Sequence, residues 1–242
     1  MERKCGKMIV FLLMIYFLIA GGTPKTEQAA LAWLPETGPI CRGNAGTEKI
    51  IALSFETLAD DQETDELLAV LSEYQIHATF FLKGDWAAAY PDQARQIAEE
   101  GHEIGNHSQH HSRTLCECSP EEMLQELKEA NNTILSCTGK IPTLFRPPYG
   151  KWNQTLLDAA QQLNLETVLW DIDSLDWKNE SPRTMKTRIL QEAGPGSILR
   201  FQDAARSTIA GLKQTIEGLM TAGFRFTTVS DLLNQSGKDF SS

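Results

Sequence analysis

From Lys49 onward, short apolar runs alternate with segments of helical periodicity, and this alternation limits the possible folds more than any other feature of the chain. The runs predicted as strands are Ile50–Phe55, Ala78–Leu82, Glu103–Gly105, Thr143–Arg146, Thr167–Trp170, Ser197–Phe201 and Arg225–Thr228. Helices are predicted near residues 64–74, 87–100, 120–137, 153–163, 182–193 and 207–222. Strands that alternate with helices pair in parallel through right-handed crossovers. The pattern predicts an α/β fold, either a closed or nearly closed β/α barrel or an open doubly wound sheet.

The N-terminal residues have the pattern of an export signal. Arg3, Lys4 and Lys7 precede the apolar run Met8–Ala20, and the small residue Gly21 follows. This order is typical of a cleaved signal peptide, and an uncleaved N-terminal anchor is the alternative. Both place the protein outside the cytoplasm, secreted or membrane-anchored, with the membrane contacted only through this segment. The predicted parts of the chain are a signal peptide or anchor over 1–22, a linker over 23–48, one domain over 49–235 and a tail over 236–242.

Charge and cysteine content limit the partners. The chain has 22 Lys and Arg residues against 32 Asp and Glu residues, a formal net charge of −10. Nucleic acid and anionic lipid require basic surfaces, so this charge disfavours both. Outside the N-terminal segment the cysteines are Cys41, Cys116, Cys118 and Cys137. An even number in an exported chain allows disulfides, for example from Cys116 or Cys118 to Cys137, and free thiols are the alternative.

Polar and titratable side chains follow the predicted strands at the edge where parallel strands end. The segments are Ser54–Thr57, Asn106–His111, Arg146–Gly150, Asp171–Trp177 and Gln202–Asp203. Active sites of α/β folds lie at this edge. His107 and His111 are four residues apart, a spacing that suits one metal ion if the segment turns as a helix does. A His-rich surface turn without a ligand is the alternative.

Five separated segments carry a resemblance to a known family. They are Phe55 with the acidic residue after it, Ala78–Phe81, Gly101–Ser108, Arg146–Gly150 and Asp173–Trp177. In this order they resemble the NodB-homology domain, whose members are polysaccharide deacetylases of carbohydrate esterase family four. The resemblance spans about residues 49–233. It implies a distorted seven-stranded (β/α) barrel that removes N-acetyl groups from chitin-like or peptidoglycan sugars.

The resemblance also implies a mechanism and its residues. In the family one Asp and two His hold a metal ion, usually zinc, which polarises the acetyl carbonyl and activates water. A second Asp is the general base, and a late His protonates the departing amine. His107 and His111 match the metal histidines, Arg146 matches the Arg that orients the base, and Tyr149 matches the segment that holds the oxyanion.

Three further residues complete the predicted pocket. Asp176 and Trp177 match the Asp-Trp pair that lies beside the late His and shapes the pocket. Trp152 follows Gly150 at the rim, so it is predicted, like Trp177, to face carbohydrate.

The chain departs from the family where the chemistry is most demanding. The paired acids read Glu56-Thr57 instead of Asp-Asp. Glu56 can still act as the base, although its extra methylene displaces the carboxylate, whereas the Thr57 hydroxyl is a poor substitute for an anionic metal ligand. Gln202 stands near the place of the late His and cannot deliver a proton. Arg200 brings a permanent charge where the family has an apolar residue.

Other side chains could substitute for the missing groups. Asp60 and Asp61 could swing toward the metal, although they also fit a solvated helix entry. His110 could act as an acid or ligand, or it could be a surface side chain that points away.

Two functions follow from these residues. The one we favour is a protein that binds N-acetylated cell-wall glycan with impaired or lost deacetylase activity. Its alternative is an active metal-dependent N-deacetylase with Glu56 as base and a rearranged metal shell. A different hydrolysis on the same barrel is a third possibility, since fold does not fix function.

Overall fold

The structure of the protein is a computed structural model that describes residues 38–57, 64–178, 180–202 and 206–234. The predicted signal peptide or anchor, most of the predicted linker, the predicted tail, Asp60 and Asp61 lie outside the described residues. The described strands and helices belong to one compact unit, which begins at Pro39. Residues 39–48 of the predicted linker therefore belong to this unit. None of the described helices is long and apolar enough to cross a bilayer.

Short strands and helices alternate along the described chain. The strands are β1 (Ile50–Thr57), β2 (Thr79–Leu82), β3 (Glu103–Asn106), β4 (Leu144–Phe145), β5 (Glu166–Thr167), β6 (Ile172–Asp173), β7 (Ile198–Gln202) and β8 (Arg225–Thr227). The helices are α1 (Thr64–Glu73), α2 (Gly84–Ala89), α3 (Pro91–Glu99), α4 (Pro120–Thr138), α5 (Gln154–Gln162), α6 (Pro182–Glu192), α7 (Arg206–Thr221) and α8 (Val229–Asn234).

The strands pair in parallel in one curled sheet. Seven of them follow the order β5-β4-β3-β2-β1-β7-β6, and β8 pairs with the start of β1. The sheet is a half-barrel with helices packed against it. This confirms the α/β class and favours the barrel over the open doubly wound sheet.

The predicted strand Thr167–Trp170 is not one strand. β5 ends at Thr167 and pairs with β4, whereas β6 begins at Ile172 and pairs with β7. β5 and β6 lie at opposite ends of the strand order, so the link between them passes from one edge of the sheet to the other. At Asp171 the chain has reached β7, because the N–H of Asp171 bonds to the carbonyl of Ile198 at 3.2 Å. Beside β5, Ile40 bonds through its N–H to the carbonyl of Thr167 at 2.9 Å.

One helix was predicted where the structure has two, and one short helix was missed. The predicted helix over 87–100 is two helices, α2 and α3, because Pro91 cannot continue α2 and instead begins α3. The six-residue helix α8 was not predicted, since its sequence is too short for helical periodicity to stand out. A capping box at Ser119 and Glu122 begins α4.

Alternation along β1 separates the helix-facing core from the barrel interior. Ile51, Leu53 and Phe55 belong to the large cluster packed against the helices. Ile50 and Ala52 belong to the interior cluster. Because successive side chains of a strand point to opposite faces, Glu56 continues the interior set. The strand thus delivers a carboxylate to the barrel interior on a firmly packed support.

The four cysteines of the described residues are free. Cys118 precedes α4 and Cys137 lies near its end, so the rise of the helix separates them by about 27 Å. A disulfide needs Cα atoms within about 7 Å. The thiol of Cys116 bonds to the carbonyl of Lys151 at 3.3 Å and that of Cys137 to the carbonyl of Ala87 at 3.3 Å. The pairing of Cys118 with Cys137 that the sequence allowed is therefore wrong.

His102 predicts how the stability of the fold depends on pH. Its Nδ1 accepts a hydrogen bond from the N–H of Ala78 at 3.2 Å, so the ring is neutral in the fold. Burial lowers the pKa of His102 to about 4, against the opposing charge of Glu100. The pKa in the unfolded chain is about 6.5. The contribution of the neutral ring is therefore fully present above that pH and is lost as the pH falls toward 4.

We expect this titration to remove about 1–2 kcal/mol from the free energy of unfolding, after allowance for partial solvation. The measurement is urea unfolding at a series of pH values between about 7 and 4. His102→Asn is the matched variant, because its Oδ1 can accept the same hydrogen bond but does not titrate in this range. An Asn variant with the same pH dependence as the original chain would contradict the assignment.

Candidate functional site

Glu56, near the end of β1, lies at the centre of a buried ion cluster, and its side chain is only 1% exposed. Arg200 donates from Nε to Oε1 at 2.9 Å and from Nη2 to Oε2 at 2.8 Å. Arg146 Nη1 lies 3.5 Å from Oε1, and His107 Nε2 lies 3.7 Å from Oε2. Burial alone would raise the pKa of Glu56, but these neighbours together lower it below its ordinary value. The carboxylate is therefore ionised, and both of its oxygens already accept hydrogen bonds from Arg200.

Arg146 follows β4 and is fully buried. Its Nη2 donates to Ser54 Oγ at 2.9 Å and to the carbonyl of Leu169 at 3.0 Å. Its guanidinium lies over the ring of Phe81 at 4.0 Å, while Nη1 has no hydrogen-bond partner and faces Glu56. Burial lowers the pKa of Arg146 to about 10, so the side chain stays charged at neutral pH.

Arg200 completes the cluster from β7, whose residues pair in register with β1. Besides Glu56, it donates from Nη1 to Asp173 Oδ2 at 3.0 Å and from Nη2 to Gln202 Oε1 at 3.0 Å. Its guanidinium lies over the ring of Trp170 at 4.3 Å. Burial would lower the pKa of Arg200, but the hydrogen bonds and charges of its acidic partners raise it. The sequence marked Arg200 only as a misplaced charge and did not predict this pair.

His107 and His111 lie side by side, with ring centroids 4.7 Å apart. His107 Nδ1 lies 2.7 Å from the carbonyl oxygen of Arg146, which fixes the proton on Nδ1 and leaves a lone pair on Nε2. Nε2 is buried and has no hydrogen-bond partner. Burial lowers the pKa of both rings, and for His111 the value is about 3. Neutral imidazoles are the form that binds metals.

The described side chains do not fit the family's metal centre. His107 fits a ligand, because its unpartnered Nε2 points into the cleft. Both oxygens of Glu56, however, accept hydrogen bonds from Arg200, and the Thr57 hydroxyl accepts the N–H of Lys83 at 3.3 Å. Within the described residues no group of three or more His, Cys, Asp and Glu side chains is placed to hold a metal ion. Two neutral imidazoles are too few ligands for a zinc site.

His110 does not take part in this cleft. Its Nδ1 lies 2.7 Å from Glu126 Oε2, and its backbone N–H donates to Oε1 of the same carboxylate at 2.7 Å. Glu126 belongs to α4, so His110 turns to the helix and away from the neighbouring histidines. The hydrogen bond to Glu126 raises the pKa of His110. Of the two roles that the sequence left open for His110, the surface side chain is the one the geometry favours.

Strained backbone is concentrated around the cleft. Four of the six non-glycine residues with positive φ among the described residues lie here: Ser108 (64°), His111 (55°), Tyr149 (58°) and Leu175 (54°). Such conformations cost about 1–3 kcal/mol each and persist where function or packing requires them. The Tyr149 ring contacts His111 at 4.5 Å and lies under the guanidinium of Arg113 at 4.5 Å. The loops that follow β3, β4 and β6 therefore adopt costly backbone conformations where they border the cleft.

Asp176 lies at one side of the Glu56 cluster. Its carboxylate accepts hydrogen bonds from Ser174 Oγ at 2.8 Å, from Thr208 Oγ1 at 3.1 Å and from the N–H of Gln202 at 3.0 Å. Burial raises the pKa of Asp176 to about 6, although these donors oppose the shift. Through Gln202, whose side chain accepts from Arg200, Asp176 is linked to the ion cluster without contacting Glu56.

Three aromatic residues predicted to lie at the rim are exposed. Trp177 is 52% exposed, Tyr149 41% and Trp152 39%. Lys178 Nζ lies over the Trp177 ring at 5.0 Å. Exposed rings that keep a fixed position at the mouth of a cleft can stack on sugar rings. Trp170, by contrast, packs against the interior cluster under Arg200.

Comparison with known proteins gives relatives over most of the chain. Residues 43–168 match the family described as "Polysaccharide deacetylase". The chain is 34% identical over 185 residues to the peptidoglycan-N-acetylmuramic acid deacetylase PdaC of Bacillus subtilis, covering 76% of this chain and 39% of PdaC. It is 33% identical over 205 residues to a peptidoglycan-N-acetylglucosamine deacetylase of Bacillus cereus, covering 83% of this chain and 95% of that protein. The chain thus spans well under half of PdaC.

One of the solved structures with a similar fold is a CE4 family pseudoenzyme from Bacillus anthracis. It has a TM-score of 0.77 and 27% sequence identity, covering 81% of this chain and 69% of that chain. A mutant of that pseudoenzyme, described as having restored enzymatic activity, gives the same TM-score at 28% identity. The likeness therefore includes a protein that keeps the fold while its activity is lost.

Proposed function

The chain belongs to the polysaccharide deacetylase family, as the sequence resemblance predicted, and from this we propose that its domain binds N-acetylated cell-wall glycan with deacetylase activity impaired or lost. The observation that carries the proposal is the fork between Glu56 and Arg200, with contacts of 2.9 and 2.8 Å. A general base needs a free oxygen within hydrogen-bond reach of the water it activates. Both oxygens of Glu56 are engaged, and its lowered pKa makes it a weaker base.

The groups on either side of the base support the same reading. Thr57 offers a neutral hydroxyl that is already bonded to the backbone of Lys83. Gln202 stands near the position of the family's proton donor, and an amide cannot donate a proton to a leaving amine. Groups that act as a unit lose their value together once one of them is gone.

The rim supports binding of a sugar polymer. Trp152, Trp177 and Tyr149, which are predicted to lie at the rim, are exposed, and rings of this kind bury large areas at low entropic cost. PdaC and the Bacillus cereus relative are named for N-acetylated peptidoglycan sugars. We therefore infer peptidoglycan as the glycan and the space outside the cytoplasm, by secretion or through the N-terminal segment, as the location. No step of this proposal uses zinc or another metal ion.

The proposal is tested by measuring binding and acetate release on the same protein. We expect the domain to sediment with insoluble peptidoglycan, less with chemically N-deacetylated peptidoglycan, and to release no acetate above background. Trp177→Ala should weaken binding about tenfold, since a central aromatic contact contributes over about 1 kcal/mol. Met220→Ala, which removes an exposed apolar side chain on α7, is the matched control and should bind normally.

Acetate release that His107→Ala abolishes would overturn the loss of activity. Equal binding of acetylated and deacetylated glycan would overturn the proposed ligand.

The alternative, an active N-deacetylase with Glu56 as base, is favoured by one observation. The unpartnered Nε2 of His107, oriented by the carbonyl of Arg146, has the setting of a metal ligand. The acetate assay decides between the two functions.

A further inference from the structure

We propose that the guanidinium of Arg200 is a resident cation that neutralises Glu56 in place of a divalent metal ion and keeps such ions out of the cleft. This inference rests on the contacts of Glu56 and does not depend on which glycan is bound. The position of Arg200 explains why the side chains of the cleft do not fit the metal ion that the family implies.

Arg200 donates a hydrogen bond to each of the two carboxylate oxygens of Glu56. Nε and Nη2 reach different oxygens at 2.9 and 2.8 Å, the two-pronged geometry that Arg forms with carboxylates. The Arg200 side chain is 9% exposed and the Glu56 side chain 1%. Each oxygen of Glu56 already accepts a hydrogen bond from a charged donor, so a metal ion bound to either oxygen would lie close to the guanidinium of Arg200.

The spacing of His107 and Glu56 would otherwise suit a metal ion between them. Zinc binds nitrogen and oxygen ligands at about 2.0–2.2 Å, which places two tetrahedral ligand atoms about 3.4 Å apart. His107 Nε2 and Glu56 Oε2 are 3.7 Å apart, close to that spacing. His111 lies beside His107. An ion placed between Nε2 and Oε2 would lie next to Nη2 of Arg200, and the two positive charges would repel each other.

The departures from the family pattern act together to hold Arg200 in place. Gln202, where the family has its late His, accepts from Arg200 Nη2 at 3.0 Å. Asp173 accepts from Nη1 at 3.0 Å, and the ring of Trp170 lies under the guanidinium at 4.3 Å. Glu56, one methylene longer than Asp, supplies the carboxylate that the fork requires. Glu56, Arg200 and Gln202, which read as separate departures in the sequence, therefore form one arrangement.

The test is zinc binding by the whole domain, measured by competition with a chromophoric chelator and by the thermal shift that zinc produces. The original chain should bind zinc weakly or not at all. Arg200→Met, which keeps the length of the stem but removes the charge, should gain about 100-fold in zinc affinity. Adding His107→Ala to this variant should abolish the gain.

Arg200→Gln is the second neutral variant, because its amide can still donate a hydrogen bond to Glu56 if Arg200→Met fails to fold. Arg200→Lys keeps the charge and should exclude zinc as the original chain does. Tight binding of one equivalent of zinc by the original chain would overturn the proposal. So would a folded neutral variant that gains no zinc affinity, or a Lys variant that gains as much as the Met variant. Binding to peptidoglycan in the presence of a chelator tests the proposed function separately and leaves the zinc result unaffected.

Discussion

Replacing Glu56 with Gln is expected to lower the free energy of unfolding by about 3–5 kcal/mol, the typical cost of removing one partner from a buried ion pair. Gln has nearly the same shape, so the effect comes from the lost charge. Arg146 is fully buried and Arg200 is nearly so, and without the carboxylate they are two cations with too little negative charge between them. The unfolded chain solvates both, so the penalty falls on the folded state.

The measurement is urea unfolding followed by far-UV circular dichroism. Asp173→Asn is the matched control, because Asp173 also accepts from Arg200 but is 24% exposed. This control should cost no more than about 1 kcal/mol. A Gln variant as stable as the original chain, or more stable, would mean that the carboxylate is held at the expense of stability, as functional groups often are. That outcome would favour the active deacetylase.

Phe55→Ala is expected to cost about 3–5 kcal/mol, because it opens a cavity under the strand that carries the cleft. The Phe55 ring stacks between those of Phe80 and Phe201, with centroids 5.1 and 5.3 Å away. It is 3% exposed, and neighbouring strands limit how far the site can collapse. Glu56 is the next residue, so a shift of β1 would also displace the ion cluster.

Phe55→Leu retains most of the volume and should cost less than about 1.5 kcal/mol. Both variants can be compared by urea unfolding, with the glycan binding of the Leu variant as a check on the cleft. An Ala variant that loses less than the Leu variant would show that this stack does not support the sheet.

The sequence predicted most of the fold because the strands and helices differ strongly in periodicity. β1, β2 and β7 are buried apolar runs, and α4 has a capping box at its start. The errors arose where periodicity carries no information. Thr167–Trp170 reads as one apolar strand, yet the change of partner from β4 to β7 depends on the closure of the sheet. A two-residue strand has no pattern of its own.

The sequence predicted which residues meet in the cleft, but it did not predict all of the contacts between them. Glu56, Arg146, His107 and His111 were expected to share one cleft, and each lies in contact with another member of the group. Their proposed roles stay predictions. The contact between Glu56 and Arg200 could not be read from the sequence, because the two residues are 144 positions apart and the contact depends on the parallel register. An unexpected Arg at the end of a buried strand was the available signal.

The position of Ile40 beside β5 also bears on the solubility of the domain. A half-barrel has two lateral edges, and an unprotected edge can recruit a strand from another molecule and start aggregation. Ile40 bonds through its N–H to the carbonyl of Thr167 and through its carbonyl to the N–H of Leu169, so these two backbone groups of the edge are satisfied within the chain. Residues ahead of the first strand thus act as a guard against intermolecular pairing, and a domain trimmed to begin at Lys49 would expose that edge.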